Sequence, residues 1–527
     1  MRDDIMTKYL LKRFLHGLIS VIIVVCIVMV LIYSCLDKNL VFAADANYTK
    51  LNSNQKTVYM YRKWQDYGYL DYVTYADYLL QLKKDGVIDE ETRKEAVSFG
   101  KKAENDSELV QQYVSQFRET YEAKGFEIVR LDAVMQTPKK YVKGGQQQLF
   151  AYKARPLASR LVSYLSGLIS VDNIHYVQEE IENRGLTFTW HDPVYGGKFA
   201  PALMGNGTMH KYLLYFDNQF PFIHQNLVQI NLGKSYSVNM GVDVFTTMTS
   251  SQGSYVLSPV TYPTGLQEDS ADDLHTATYM AGTRTASLVN ENRFVDDYTN
   301  VTTKKGGLSK MGYSFVIGIL AVALAYLLGV PLGITMARRK DKLVDKIGTI
   351  YIVFIIAVPS LAYIFLFKAI GFGIGLPTTF NVDSSSKLMY ILPIVSLALP
   401  SVANLMKWIR RYMIDQMNSD YVKFARSGGL TEPEIFRKHI LKNAIIPIVH
   451  GIPGSVLGAL TGAIITERVY VVPGAGNLLT TAINTYDNGV IVGVTMFYAM
   501  LSVISVILGD ILMSMVDPRI SFTSKAR

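Results

Sequence analysis

Cysteine is nearly absent: Cys26 and Cys35 are the only two in 527 residues. Nine residues apart within one apolar run, they would lie roughly 13 Å apart along a helix, too far to bridge. No disulfide is therefore expected in the chain beyond them. Charge is also scarce, at 18% against 49% hydrophobic, which excludes an ordinary soluble or disordered composition. Catalytic signatures are missing as well. No GxSxG marks a nucleophile. His175, His191, His210, His224 and His275, with Asp192 beside one of them, show no HxxxH or HExxH spacing, so they read as scattered surface histidines and no metal site is expected. "LGKS", Leu232 to Ser235, looks like half a phosphate loop, but Val228 stands where that loop needs glycine. No catalytic residue and no nucleotide site are expected in this chain.

What is present is apolar sequence in long blocks, with mean hydropathy +0.18. A membrane-spanning helix needs about 20 mostly apolar residues, because hydrocarbon offers no partner to an open backbone. Six segments meet this or nearly do: Leu15 to Leu36, Tyr313 to Ala337, Ile347 to Ile370, Leu388 to Trp408, Ala444 to Thr466 and Val490 to Val516. Pro331, Pro359, Pro393, Pro400 and Pro453 fall in them; such positions kink packed helices or line a path. Lys368 and Asp510 lie near span ends, and no acid occupies a clear midplane position, which argues against a proton- or sodium-coupled carrier.

Basic residues in short loops set the orientation. Lys8, Lys12 and Arg13 precede the first span, Arg338, Arg339, Lys340, Lys342 and Lys346 follow the second, and Lys407, Arg410, Arg411, Lys423, Arg426, Arg437, Lys438 and Lys442 follow the fourth. These belong in the cytoplasm, as do Arg519, Lys525 and Arg527 after the sixth. The net charge of +8 is thereby assigned to this topology rather than to nucleic acid. Six spans with both termini inside satisfy every loop. "IYSC" at Cys35 resembles a lipoprotein processing site, but the apolar run exceeds a signal core, so a retained first helix is expected.

The expected architecture is an all-α bundle of six transmembrane helices with an α+β extracellular domain inserted between helices 1 and 2. Residues 1–36 hold the first helix, 37–312 the inserted domain, and 313–527 the core. Within the insertion, Leu109, Val110, Tyr113, Val114, Phe117 and Tyr121 follow helical spacing, while "FEIVRLDAVM" and "GLTFTW" read as strands. Residues 250–310, rich in Ser, Thr, Gly and Asp, read as loop.

One charged stretch interrupts the apolar core: "DYVKFARSGGLTEPEIFRKHILKNAIIP", Asp420 to Pro447. Asp420 or Ser419 can cap a short helix with Tyr421, Phe424 and Ala425 on one face. Gly428 and Gly429 end it. Thr431 with Glu434 fits a capping box, with Pro433 tolerated in the first turn. A short helix, an elbow and a returning helix should result.

This stretch, with Gly429 and Pro447 eighteen residues apart, resembles the cytoplasmic loop of permease subunits of bacterial ABC importers of the dipeptide, oligopeptide and nickel class. "GVPLGITMARRKDKLVDK", "TERVYVVPGAGNLLTTAINTYDNGVIVG" and "GDILMSMVDPRI" resemble the same family at the expected order, and "NLVQINLGKSYSVNMGVDV" resembles its external segment. The insertion departs from most relatives and looks like that of Gram-positive peptide permeases. The resemblance implies a type I importer permease fold, a plasma-membrane location, and a coupling region at residues 420–437. There Tyr421, Lys423, Phe424, Ala425, Arg426, Gly429 and Leu430 would engage a cytoplasmic ATPase. It further implies two ATPase subunits holding ATP and Mg, a second homologous permease and a lipid-anchored binding protein. The chain itself would need no cofactor. Its cargo would be oligopeptide, with nickel or another small solute as the alternative, and a secondary transporter less favoured. Pro359, Ser360, Ser401 and Asn404, polar or kinking positions in apolar spans, are the candidate path residues.

Overall fold

The computed structural model describes residues 2–196, 198–217 and 222–516. Arg519, Lys525, Arg527 and the Asp517-Pro518 ending lie outside these. Helix α1 (Arg2–Cys35) is continuous. Val21, Val25, Met29 and Ile32 are buried at helical spacing along it, while Ile19, Ile23, Ile27 and Leu31 remain exposed. One packed stripe and a broad apolar remainder suit a helix that faces lipid on most sides.

The insertion then folds in two lobes. The first contains α2 (Ser53–Asp66), β1 (Leu70–Thr74), α3 (Tyr75–Lys84), α4 (Glu108–Glu122), β2 (Glu127–Leu131) and β3 (Gln148–Ala154). Its strands form an antiparallel sheet in the order β1-β3-β2. Strand alternation decides which helix covers which face: Leu149 and Ala151 pack with Tyr75, Leu79, Val114 and Phe117 on one side, and Phe150 packs with Trp64 and Tyr72 on the other. The helical spacing through Phe117 and the strand in "FEIVRLDAVM" both appear where the sequence places them.

Helix α5 (Leu157–Ser166) leads to the second lobe, with β4 (Ile169–Val171), β5 (Gly185–Thr189), β6 (Ala202–Asn206), β7 (Tyr212–Phe216), β8 (Ile223–Gln225) and β9 (Val228–Ile230). Strands β8-β7-β6-β5 make one sheet and β9-β4 another. The region 250–310 corrects the sequence reading. It is not plain loop: Ser258–Thr261 pairs with Gln267–Ser270, and Asp272–Thr278 pairs with Asn300–Thr303. Tyr262, Leu274 and Phe294 pack together inside while Leu257, Leu288 and Val295 stay exposed, so a polar composition conceals ordered strands. The histidines also differ from expectation. His175 and His191 are exposed, but His275 is 1% exposed. It stacks on Tyr215 at 4.1 Å with its Nε2 2.7 Å from Asp192 Oδ2. His210 lies 3.3 Å from buried Asp172. Among the described residues no three such groups converge on a metal position.

The core continues with α6 (Lys310–Arg338), α7 (Leu343–Ala357), α8 (Ser360–Gly373), α9 (Ile391–Met417), α10 (Asp420–Ser427), α11 (Ile452–Tyr470), α12 (Ala475–Asn484) and α13 (Asn488–Val516). Among the described residues four helical stretches, Tyr9–Cys35, Lys310–Arg338, Lys387–Met417 and Asn488–Val516, are long and apolar enough to cross a membrane. Two bent pairs raise the number to six if each is one span. The expected third span, Ile347 to Ile370, is one of these pairs: α7 and α8 meet at 111°. Pro359 has no N–H and forces Val358 out of the helical region, to φ −85° and ψ 129°. Pro331 and Pro400 sit inside unbroken helices, supported by close packing. A Cβ on Gly329 or Gly333 would come within 2.9 and 3.0 Å of the Leu405 and Ile409 side chains, so this Gly-x-x-x-Gly pair seats α6 against α9. The buried Asp345 carboxylate ties α7 to α9 by accepting from Arg410 Nε and Nη2 at 2.6 and 2.8 Å. At the far end of α13, Asp510 accepts from Tyr9 and lies 3.0 Å from Arg13 Nε.

Insertion and core are joined at Asp487, which is fully buried between α12 and α13. Its carboxylate accepts from the backbone N–H groups of Tyr236, Ser237 and Val238 at 2.8, 2.9 and 2.9 Å. The Ser235 hydroxyl donates to it at 2.6 Å. The loop that resembles half a phosphate site thus cradles the chain's own anion. Gly489 permits the contact, since a Cβ there would lie 1.8 Å from the Lys234 carbonyl oxygen. Tyr67 of the first lobe stacks on Tyr236 at 3.8 Å and donates its hydroxyl to the Tyr236 carbonyl at 3.1 Å. Asp487→Ala removes the acceptor of several buried donors and is expected to cost about 3 kcal/mol. Gly489→Ala should displace the same loop. Both variants should show a lowered unfolding midpoint together with protease cleavage near residue 235; wild-type resistance in both would refute the latch.

Candidate functional site

Two features stand out in the core. The first is a cavity of about 700 Å³ bounded by α6, α8, α9 and α11. Ser360, Ser401 and Asn404, chosen from sequence, all line it, together with Tyr326, Ser455 and Gly458. Pro359 does not line it; it makes the break that brings the start of α8 to the wall. No lining side chain is charged. Tyr326 and Ser455 hydroxyls meet at 3.2 Å, and Ser396 meets the Tyr470 hydroxyl at 2.9 Å, so part of the wall is held by hydrogen bonds. The fifth span was expected beside the path, but no α11 residue was among the path residues named from sequence. Its signal was legible as spacing: Gly451, Gly454, Ser455 and Gly458 put small residues on one helical face, and a Cβ on Gly454 or Gly458 meets open space.

Glu467 begins the connection that follows the fifth span. It is 0% exposed at the end of α11. Ser314 Oγ donates to its Oε1 at 2.6 Å and the Asn477 N–H to its Oε2 at 3.0 Å. Gly474 and Gly476 make room, since a Cβ on either would come within 3.0 Å of the carboxylate. One carboxylate thus fixes α6, α11 and α12 together at one rim of the core.

The second feature is the elbow at residues 420–434. The α10 helix ends at Gly428, and Gly429 takes φ +81°, a left-handed turn that favours glycine. Glu434 then accepts from the Thr431 N–H and hydroxyl at 3.2 and 2.8 Å, starting the return. That return is not a plain α-helix: Ile435–Leu441 is π-wound, which adds residues per turn before the bend into α11.

The packed face of α10 is rotated from the one expected. Val422 is 0% exposed, and Tyr421, Ala425 and Leu430 lie against the same core as Met413, Ile435 and Ile440. The Tyr421 hydroxyl donates to Gln416 Oε1 and accepts from Asn443 Nδ2. Phe424, at 76% exposure, leaves this face. Each residue advances about 100° around a helix, so residue 424 lies roughly 160° from residue 422. Expecting Tyr421, Phe424 and Ala425 to share one face overlooked Val422 as the centre of burial. Lys423 and Arg426 meet acids of this chain, Asp420 at 2.8 Å and Glu432 at 2.6 Å. The Arg426 guanidinium, bonded across the turn, holds the Glu432 carboxyl below its usual range.

Residues 329–522 match the family described as binding-protein-dependent transport system inner membrane component, which assigns the class of the α6 to α13 bundle. Over 528 residues, 99% of each chain, the protein is 33% identical to the oligopeptide transport system permease protein AmiC of Streptococcus pneumoniae. It is 32% identical over 224 residues to the dipeptide transport system permease protein DppB of Lactococcus lactis subsp. cremoris, covering 42% of this chain and 73% of that one. The dipeptide transport system permease protein DppB of Bacillus subtilis is 29% identical over 214 residues, 40% of this chain and 68% of that one. The chain belongs to the permease subunits of peptide ABC importers.

The elbow geometry separates support from projection. Val422→Asp buries a charge without a partner and should cost about 3 kcal/mol or more. Phe424→Asp should change stability by no more than about 0.5 kcal/mol. Thermal unfolding of the two variants side by side checks the assignment, and equal losses would contradict it.

Proposed function

We propose that this chain forms half of the path by which oligopeptides enter the cell, and that a separate cytoplasmic ATPase drives it through α10. The observation that carries this reading is Phe424: a large aromatic side chain fully presented from a helix whose other face is locked into the core. A rigid base with an exposed apolar tip is what transmits force between subunits, and burying such a side chain in a partner groove contributes about 1.5 to 3 kcal/mol. Gly429 and Leu430 shape the turn behind it.

In this reading the basic loops face the cytoplasm and the insertion lies outside, where it serves as a docking platform for a lipid-anchored binding protein. A second homologous permease completes the path, and two ATPases supply ATP and Mg. Both termini are inside, in the plasma membrane of a Gram-positive organism. The charge-free cavity supports a peptide cargo. A fixed charge in a low-dielectric path would favour one sign of substrate and repel the other, whereas peptides carry either. The names of the relatives favour peptide over nickel.

Co-purification tests the coupling. Wild-type chain should bring down its ATPases, whereas Phe424→Asp, with its fold intact, should lose them and lose peptide uptake. Normal uptake with Phe424→Asp would defeat the proposal. The path is tested separately by Gly458→Trp, which fills the cavity from a position with open space. Uptake should fall at least roughly tenfold, as a misplaced bulky group in a transport or reaction path commonly costs that much or more, while ATPase binding persists.

A further inference from the structure

A second cavity, of about 240 Å³, opens where α1, α5 and the first turn of α13 meet. Met29, Tyr33, Arg160, Ser163, Tyr164 and Lys234 are among its lining residues. The Arg160 guanidinium lies against two aromatic rings, 3.7 Å from the centroid of Tyr33 and 4.0 Å from that of Tyr69. The two rings meet edge to face, 5.4 Å apart at 87°, so they form an aromatic corner that fixes the guanidinium and leaves its remaining N–H groups to bind. Its Nη2 is buried and has no hydrogen-bond partner. Neighbouring carboxylates are engaged elsewhere: Asp66, which also lines the cavity, meets Lys63 at 3.2 Å, Asp71 accepts from Arg155, and Asp487 is held by the 235–238 loop. Among the described residues neither Arg160 nor Lys234 forms an ion pair with a carboxylate.

We infer that this cavity binds the phosphate of an anionic lipid headgroup. The chemistry is that of an anion with oxygen acceptors in one plane, which a guanidinium edge recognises, and a lysine provides a second charge. The source follows from position. Met29 and Tyr33 occupy the last turns of α1, and Ile27, Val30 and Leu31 beside them are exposed, so acyl chains have an apolar surface to follow directly below the cavity. Tyr33, Tyr69 and Tyr164 surround it at the depth where aromatic side chains gather in membrane proteins. A lipid held here would strap α1 to α5 and α13 at the junction with the insertion. The inference rests on the membrane topology proposed above, which sets the leaflet as the outer one.

The test uses the full chain in nanodiscs of phosphatidylcholine, with and without phosphatidylglycerol. Phosphatidylglycerol should raise the unfolding midpoint and remain bound in native mass spectrometry. Arg160→Gln should weaken that retention roughly tenfold, the loss of one charge-assisted hydrogen-bonded contact. Lys234→Gln, at an exposed position where folding is not at stake, should weaken it less. Equal retention in all three proteins would overturn the site. Inorganic phosphate giving the same shift in phosphatidylcholine discs would overturn the lipid as its source. Labelling of Cys35, exposed at the end of α1, with an impermeant maleimide on intact cells separates the two failures. If Cys35 reacts from outside while lipid is not retained, only the cavity inference falls. If it reacts only from inside, the topology reading falls and the outer-leaflet assignment with it.

Discussion

A buried carboxylate without donors would be prohibitively unstable, so Asp487 dictates the arrangement of everything around it. Three consecutive backbone N–H groups and the Ser235 hydroxyl of the 235–238 loop converge on it, and the Val490 N–H of α13 adds a further bond at 3.2 Å. That requirement brings the insertion down onto the start of α13, and it demands glycine at 489, where the backbones almost touch. Tyr236, fixed by the same contact, offers a ring and a carbonyl to Tyr67, and the first lobe is thereby aligned with the core as well. Charge-assisted hydrogen bonds are among the stronger and more directional contacts available to a protein. Here they join a polar domain to an apolar bundle beside a packed cluster in which Leu232, Val244 and Met248 meet Met311, Ala475 and Val490.

The two ends of the core are built on opposite principles. At the Asp487 and Glu467 end, buried carboxylates are saturated with donors, and glycines let backbones approach closely. Motion there would leave buried polar groups without partners. At the other end, α10 has a packed side formed by Tyr421, Val422 and Ala425 and an exposed tip at Phe424. Its hydrogen-bonded pairs, such as Arg426 with Glu432, are open to solvent and worth little to stability. Between them lies a cavity whose wall includes hydroxyls and small residues, bounded on one side by the α8 helix that starts at the Pro359 break. Rigid rim, uncharged cavity and projecting tip are consistent with a bundle moved from one end by a partner.

Much of this was readable from residue order. Apolar blocks of about 20 residues located the spans, and the paired glycines after α10 with Thr431 and Glu434 located the elbow, because turn and cap preferences act within a few residues. Three of the four path residues chosen as polar positions in apolar helices do face one cavity. The failures have a common cause. His275 read as a surface residue because no ligand spacing surrounds it, and its burial depends on Tyr215 and Asp192, both distant along the chain, as the burial of Glu467 depends on Ser314. The strands between 258 and 303 were hidden by a composition in which only scattered residues reach the interior.

The sequence by itself determined what local chemistry can determine: where the chain can enter a membrane, where it must turn, where it cannot continue a helix, and which family its motifs resemble. The tertiary structure alone decided which side of each element is used. Whether Phe424 points toward its own bundle or away depends on Val422 finding Ile435 and Ile440, and whether Pro359 bends a helix while Pro400 does not depends on what packs beside each. The anion at the 232–238 loop is Asp487, some 250 residues away. Such choices rest on contacts between distant segments, whose free energies exist only once the chain has folded.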